Sequence, residues 1–244
     1  MSGIQTLYFG IIAASGRSLN IISDTANFNL RTALLANGWN GTSPVVAQVT
    51  ISSGIKIYSN STGTPAFDTG AALPTGSHIT LINNGIIVGK GGQGASGYTA
   101  NGGAGGKAMN ISTAIDINNI GIIGGGGGGG GTGGMGLDAQ GYYAYNTGGC
   151  GGGGIGFGAG GTNGGYPLGQ PGGNGTATAA GAGGAPSALY GGGYGGNGGG
   201  YGQAGGNGQV VHSSGTLGGA AGAAITGNSL ITWLNTGSIY GSVS

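Results

Sequence analysis

The sequence predicts a mostly β or irregular protein. A small β-rich domain at residues 1–88 is followed by a sandwich of about ten antiparallel polyglycine II helices at residues 89–222. The prediction of polyglycine II helices depends on the glycine content, because 70 of the 244 residues are Gly, several times the average usage of about 7%. Only ten of these Gly precede residue 89, so the composition changes just after Ile86-Ile87-Val88. Residues 223–244 are apolar again, and we expect them to dock back on the first domain.

Ordinary strand and helix signals fill the first 88 residues. Runs of Ile, Val, Leu and aromatic residues, bounded by Gly and Pro turns, predict strands at residues 4–9, 19–22, 45–51, 55–58 and 79–82. Asn29 is a good N-cap for a short helix at Leu30–Ala36, which Asn37-Gly38 would end.

The Gly-rich part needs a different kind of order. Gly has no side chain to bury and loses the most backbone entropy on folding, so ordinary sheet or helix packing gains little there. Polyglycine II has three residues per turn and no internal hydrogen bonds, so its backbone groups must pair with neighbouring rods. Consecutive rods should be antiparallel because their connections are short. The rods are predicted at about residues 89–94, 102–106, 121–136, 148–154, 156–161, 172–176, 181–184, 191–199, 202–206 and 215–222.

The turns between these rods should lie at two ends of the block. Turns near the first domain are aliphatic, above all residues 107–120, whereas the far-end turns are rich in Tyr. A lattice of bare backbones has no room for rings, so these Tyr are predicted to anchor a binding partner; packing between loops is the alternative. The far-end turns are 95–101, 137–147, 162–171, 185–190 and 207–214. The candidate binding residues are Tyr98, Tyr142, Tyr143, Tyr145, Tyr166, Pro167, Leu168, Leu189, Tyr190 and His212.

Charge and residue types exclude several functions. Charged residues make up 4% of the chain and none follows Asp138, so the sequence predicts no nucleic-acid partner. No apolar run is long enough for membrane insertion. One Cys, two distant His and four Asp without any Glu predict no metal site, no cofactor and no acid–base pair, so we expect a protein that is not an enzyme. The run from Gly89 to Gly94 fits a dinucleotide fingerprint, but no helix follows it.

Four segments carry a more specific signal. They are the run Leu81–Gly92, the run Ile117–Gly121 before eight Gly, the run Gly156–Gly161, and the ending Thr236–Ser242. As a set they resemble the receptor-recognising adhesins at the tips of T-even-type phage long tail fibres. The resemblance covers about residues 79–244, and residues 1–78 do not match that family's attachment domain. It implies a ten-helix polyglycine II sandwich whose far-end loops bind an outer-membrane protein or a surface glycan of the bacterial host.

The resemblance further implies a virion protein at the tail tip, which meets the host cell surface on adsorption and mounts on another phage tail protein. Within the attachment part, Trp39 and Trp233 are the candidate attachment residues, although both suit a domain core. Three alternatives remain open: a structural virion cap or spacer without receptor binding, an ice-binding polyglycine bundle, and a disordered cell-wall or silk-like protein.

Overall fold

The fold is mostly β, and its larger sheets are parallel. A computed structural model describes residues 16–97, 100–145, 147–162 and 169–244. Within these ranges the regular elements are short strands, one α-helix of seven residues and one turn of 3-10 helix at Asn228–Leu230. The strand expected at residues 4–9 lies outside the described residues.

The strands follow one another around a stack of rungs. The first two rungs are β1 (Gly16–Ile21), β2 (Thr25–Ala26) and β3 (Phe28–Asn29), then β4 (Val46–Ile51), β5 (Lys56–Tyr58) and β6 (Phe67–Asp68). The third is β7 (His78–Asn83), β8 (Ile86–Val88) and β9 (Met109–Asn110). The fourth is β10 (Ile115–Asn119) and β11 (Ile122–Gly124), then, after the hairpin β12 (Gly136–Leu137) and β13 (Tyr143–Ala144), β14 (Ile225–Thr226). The last is β15 (Ile231–Asn235) and β16 (Ser238–Tyr240).

Stacking these rungs produces three parallel sheets. Their orders are β1-β4-β7-β10-β15, β2-β5-β8-β11-β16 and β3-β6-β9-β14. Because side chains alternate between the two faces of a strand, paired strands place apolar side chains of successive rungs one above the other in a column. In the first sheet, Val49 and Ile117 both pair with Leu81, and all three are fully buried. The second and third sheets form columns in the same way, with members Ile57, Ile87 and Ile123, and Phe67, Met109 and Ile225. These columns are the hydrophobic core.

Two buried Asn side chains close one corner of the stack. Asn83 and Asn119 occupy equivalent positions at the ends of β7 and β10 and are both fully buried. Asn83 Nδ2 donates to Asn119 Oδ1 at 2.8 Å, and Asn119 Nδ2 donates to the Thr236 carbonyl at 2.7 Å. These buried amides therefore form hydrogen bonds with each other and with a backbone carbonyl in the turn of the next rung.

The one described α-helix, α1 (Leu30–Ala36), confirms the prediction from its cap. Asn29 Oδ1 accepts the Thr32 N–H at 2.9 Å. The helix buries Leu30 and Leu34 against the core. The strands expected near residues 19–22, 45–51, 55–58 and 79–82 are also present, as β1, β4, β5 and β7.

The Gly-rich segments leave the stack and return to it at one corner. The first runs from the end of β8 at Val88 to the start of β9 at Met109, and the second from the end of β11 at Gly124 to the start of β14 at Ile225. Residues 107–120, predicted as an aliphatic turn, instead contain β9 and β10, because Ile115 and Ile117 alternate into the core. The sheets thus continue past the composition change at residue 88, and β14, β15 and β16 pair with β9, β10 and β11.

Backbone hydrogen bonds with a three-residue period join the Gly-rich segments. In the buried run 124–134, Gly127, Gly130 and Gly133 donate to the carbonyls of Ile155, Gly152 and Gly149 at 2.7–3.0 Å. The residues between these three also donate at every third position, each set to a different segment. The N–H groups of the run reach segments 103–106, 149–155 and 203–209, and its carbonyls reach segments 89–95, 193–202 and 216–222.

This arrangement requires Gly in the central run. A Cβ on Gly130 would lie 1.9 Å from the Gly196 carbonyl oxygen, and one on Gly127 would lie 2.0 Å from that of Gly199. Both obstacles are backbone atoms held by hydrogen bonds of their own. Any side chain at these positions would therefore separate two segments.

We expect Gly130→Ala to lower the free energy of unfolding by about 3 kcal/mol or more, because the methyl group overlaps backbone that cannot move aside. Chemical denaturation measures this. Gly206→Ala is the matched control: a Cβ there meets its nearest atom at 3.3 Å, on an exposed segment, so the cost should stay below about 1 kcal/mol. Equal effects of the two substitutions would contradict the close-packed arrangement.

We expect Asn119→Ala to destabilise the protein by about 2 kcal/mol, because it leaves the buried Asn83 amide and the Thr236 carbonyl without their partner. Asn118→Ala, on the adjacent half-buried position of the same strand, is the control and should cost less than about 1 kcal/mol. Thermal unfolding of both variants tests this, and a smaller loss at 119 than at 118 would refute it.

Candidate functional site

Turns at one end of the Gly-rich segments pack against the sheets. Phe157 contacts Tyr58 of β5, with ring centroids 5.0 Å apart. Tyr201 stacks on Tyr240 of β16 at 5.8 Å, and its hydroxyl donates to the Ala177 carbonyl at 2.6 Å. Burial, and then the nearby Tyr240, raise the pKa of Tyr201. This end is therefore the base of the Gly-rich part.

The opposite ends of the same segments carry the second set of turns, which we call the tip: described residues 95–97, 100–101, 135–145, 147, 162, 169–171, 185–192 and 207–214. Hydrogen bonds tie its turns together. The Thr162 N–H donates to Ser96 Oγ at 2.9 Å, and the Met135 N–H donates to Ser213 Oγ at 2.8 Å. Turns that are distant in sequence are therefore joined at the tip.

The hairpin β12–β13 is the most prominent element of the tip. Asp138 Oδ1 accepts the Gln140 and Tyr142 N–H groups at 3.0 and 2.8 Å, which closes the turn, and Gly141 in it has φ +84°. Buried Thr147 fastens the base of the hairpin, because its Oγ1 accepts the Gly136 N–H at 2.7 Å and donates to the Ala144 carbonyl at 2.8 Å. Thr147 thus holds the exposed turn on the block.

Several large apolar side chains of the tip are exposed. Tyr142 is 72% exposed, Tyr145 65% and Leu189 61%. Tyr143 is also exposed, and its hydroxyl donates to the His212 carbonyl at 3.0 Å, so it joins two turns. Large aromatic side chains that are held by backbone contacts and reach solvent are typical anchors of binding surfaces.

A small pocket opens beside the hairpin. It has a volume of about 260 Å³ and is lined by Asp138, Tyr143, Ala144, Tyr145, Thr147 and Tyr190. The turns 136–147 and 185–190 both contribute, since the Ser187 N–H donates to the Thr147 carbonyl at 2.7 Å. The pocket therefore forms only when separate parts of the sequence meet.

The predicted binding residues that the structure describes all lie at the tip. They are Tyr142, Tyr143, Tyr145, Leu189, Tyr190 and His212, of which Tyr190 is half-buried and the others are exposed. The remaining candidates, Tyr98, Tyr166, Pro167 and Leu168, lie outside the described residues.

The two candidate attachment tryptophans differ in their surroundings. Trp39 is buried in the core, with its Nε1 donating to the Ser43 carbonyl at 2.8 Å and the Arg31 guanidinium 5.0 Å from its ring centroid. Trp233 is half-buried in β15, at the edge of its sheet, and its Nε1 donates to Asn228 Oδ1 at 3.1 Å.

Sequence reasoning missed two exposed tip residues, Val210 and Val211. Val210 is 66% exposed beside Val211 and His212, and two adjacent β-branched residues in a polar turn were the available signal. Asp138 was recognised as the last charged residue of the chain, but nothing in the sequence places it in a pocket with Tyr190.

Comparison with known proteins decides the family. The family described as "Phage tail fibre adhesin Gp38" matches residues 17–244. The chain belongs to this family. The adhesin is also similar to a chain in the crystal structure of the gp37-gp38 adhesin tip complex of the bacteriophage S16 long tail fiber. The two share 29% sequence identity and a TM-score of 0.67, over 94% of this chain and 82% of that chain. No curated protein matches the chain.

The family match assigns the protein to the tip of a phage tail fibre and to the virion tail. The match begins at residue 17, well before the resemblance that starts at about residue 79. It therefore includes β1 to β7, which belong to the same stack of rungs as the later strands. Across the described ranges, no helix has the length and apolar character needed to cross a membrane. The same ranges contain no cluster of three or more His, Cys, Asp or Glu suited to a metal ion.

We expect Thr147→Val to loosen the hairpin of the adhesin, because the isosteric change leaves the Gly136 N–H buried without an acceptor, at a cost of about 1–3 kcal/mol. Limited proteolysis should then cut within residues 136–147 sooner than in the unmodified protein. Thr178→Val, at an exposed position of a base turn, is the control and should change nothing. Unchanged cleavage of the Thr147 variant would disprove the anchoring role.

Proposed function

We propose that the adhesin recognises a receptor on the bacterial surface through the tip and that it does so by binding, without catalysis. The observation that carries this is the group of exposed Tyr side chains on a hairpin fastened to the block by Thr147. Exposed rings on a held backbone give large contact area at a small entropy cost. The receptor would be an outer-membrane protein or a surface glycan.

We further propose that residues 89–222 form a sandwich of polyglycine II helices. The support is the three-residue period of the hydrogen bonds and the six neighbouring segments of the run 124–134, both expected of threefold rods without internal hydrogen bonds. The same bonds group the segments into layers of three, four and three rods. The outer layers are 102–106, 89–95 and 158–161, and 203–209, 193–199 and 181–184; the middle layer is 216–222, 124–134, 148–155 and 170–176.

In such a sandwich the sequence of the tip turns could change without loss of the fold. The rods are held by backbone groups, so the turns contribute little to the lattice, and their side chains are free for recognition. Binding loops on a rigid scaffold also lose less entropy on association than loops that must be ordered by the ligand.

The stack of rungs would provide the mount on another phage tail protein. The similar solved structure is a complex of gp37 with gp38 at the tip of a long tail fiber, and we infer an analogous partner here. Trp233 is the better placed of the two tryptophans, because it lies in edge strand β15 next to exposed Leu234. Buried Trp39 would act only by holding the core.

We expect the purified adhesin to bind host cells, and the triple variant Tyr142→Ser, Tyr143→Ser and Tyr145→Ser to bind at least about tenfold more weakly, because it removes aromatic anchors. Binding to whole bacteria and to isolated envelope fractions measures this. Salt should weaken the affinity only modestly, since Asp138 is the one Asp, Glu, Lys or Arg residue in the described tip.

Tyr194→Ser is the matched control for the triple variant, because this Tyr is 57% exposed on the side of the block rather than at the tip. It should leave cell binding unchanged. An unmodified adhesin that neither binds host cells nor blocks phage adsorption would instead favour the structural cap or spacer.

A further inference from the structure

Among the described residues, Asp138 differs from the other Asp residues in having no hydrogen bond or ion pair to a cationic or amide side chain. Asp24 pairs with Lys56 at 3.3 Å, Asp116 with His78 at 3.4 Å, and Asp68 accepts the Asn110 amide at 3.0 Å. In the described part of the chain, the hydrogen bonds to the Asp138 carboxylate come from two N–H groups of its own turn and both end on Oδ1. Its Oδ2 therefore remains available to a ligand.

The part of the chain that forms the tip contains no Lys or Arg that could neutralise the Asp138 carboxylate. No Lys or Arg follows Lys107 in the sequence, and Lys107 itself lies in the base turn next to β9. A Lys or Arg group beside Asp138 would therefore belong to a molecule outside the adhesin.

The pocket around Asp138 suits such a charge. Tyr143, Tyr145 and Tyr190 line it together with Asp138. The faces of aromatic rings attract cations, and a carboxylate oxygen is a strong acceptor for an ammonium or guanidinium N–H. Its volume of about 260 Å³ is below the range of about 300–1,000 Å³ for whole small-molecule sites, so it would take one side chain.

We propose that this pocket binds the ammonium or guanidinium group of a single Lys or Arg side chain in a protein receptor on the host surface. The proposal rests on the proposed function of the tip. Asp138 Oδ2 accepts hydrogen bonds from the cation, and the Tyr rings contact the alkyl stem and the charged group. A neutral sugar would also stack on the rings, but it would gain nothing from the formal charge of Asp138, and for this reason we favour a protein receptor.

The first test uses small probes and the amide signals of the turn. N-acetyl-arginine methylamide and N-acetyl-lysine methylamide should shift the NMR signals of the Gln140 and Tyr142 amides, whose N–H groups bond to the same carboxylate. N-acetyl-norleucine methylamide should leave them unchanged. Shifts with galactose or glucose instead of the cationic probes, or no shift with any probe, would overturn the proposal.

The second test uses host cells and Asp138→Asn. Asn keeps an oxygen that can accept the two turn N–H groups, so the hairpin should remain folded while the charge is lost. We expect cell binding to fall about tenfold or more, whereas Asp24→Asn, which alters a carboxylate paired with Lys56 in the stack of rungs, should have no effect.

The two proposals fail in different ways. If the triple Tyr variant loses cell binding but Asp138→Asn binds as well as the unmodified adhesin, the cation pocket is wrong and the tip remains the receptor site. If neither variant loses binding, both proposals are wrong.

Discussion

The close approach of bare backbones determines the rest of this structure. Along the run 124–134 backbone N–H groups and carbonyls pair with neighbouring segments, and a single Cβ would lie about 2 Å from a carbonyl oxygen at position after position. A side chain can therefore exist only where a segment faces solvent or where it ends. The crowding of aromatic and branched residues into the turns follows from this constraint, because no other part of the block can hold them.

Amide side chains complete the hydrogen bonding at the margins of the block. Asn174, Asn197 and Asn207 each accept, through Oδ1, an N–H of the adjacent segment at 2.8–3.0 Å. For these N–H groups the acceptor is an Asn side chain and not the backbone of a further segment. An exposed edge of unpaired N–H groups invites association with other chains, so these Asn both satisfy the edge and make it less able to recruit another backbone.

Local features were predictable from the sequence, and long-range pairings were not. The helix α1 follows from Asn29 and its apolar spacing, and β4 from an apolar run. In the first sheet β10 pairs with β7 on one side and, on the other, with β15 more than 100 residues later, and no local pattern reports either pairing. The same holds for the tip pocket: the Tyr-rich turn was evident, but its contact with Tyr190 arises only when two turns are brought together by the segments between them.

The stack of rungs also solves a problem of register that the Gly-rich part cannot solve alone. A segment of identical residues with a three-residue period can slide by three residues and recover the same hydrogen bonds, so its position is weakly specified. Here β8 and β11 are paired with Val88 opposite Gly124, and the pairing continues without a break as Gly89 donates to Gly124 and Gly92 to Gly127. The parallel sheet thus fixes where the first two parallel segments begin. At the other end, Thr132 and Thr216 meet through their hydroxyls at 3.2 Å and no Gly can replace that contact. Gly allows the backbones to pack closely, whereas the register of the segments is set by side chains at both ends: the strand pairing of β8 with β11 and the contact of Thr132 with Thr216.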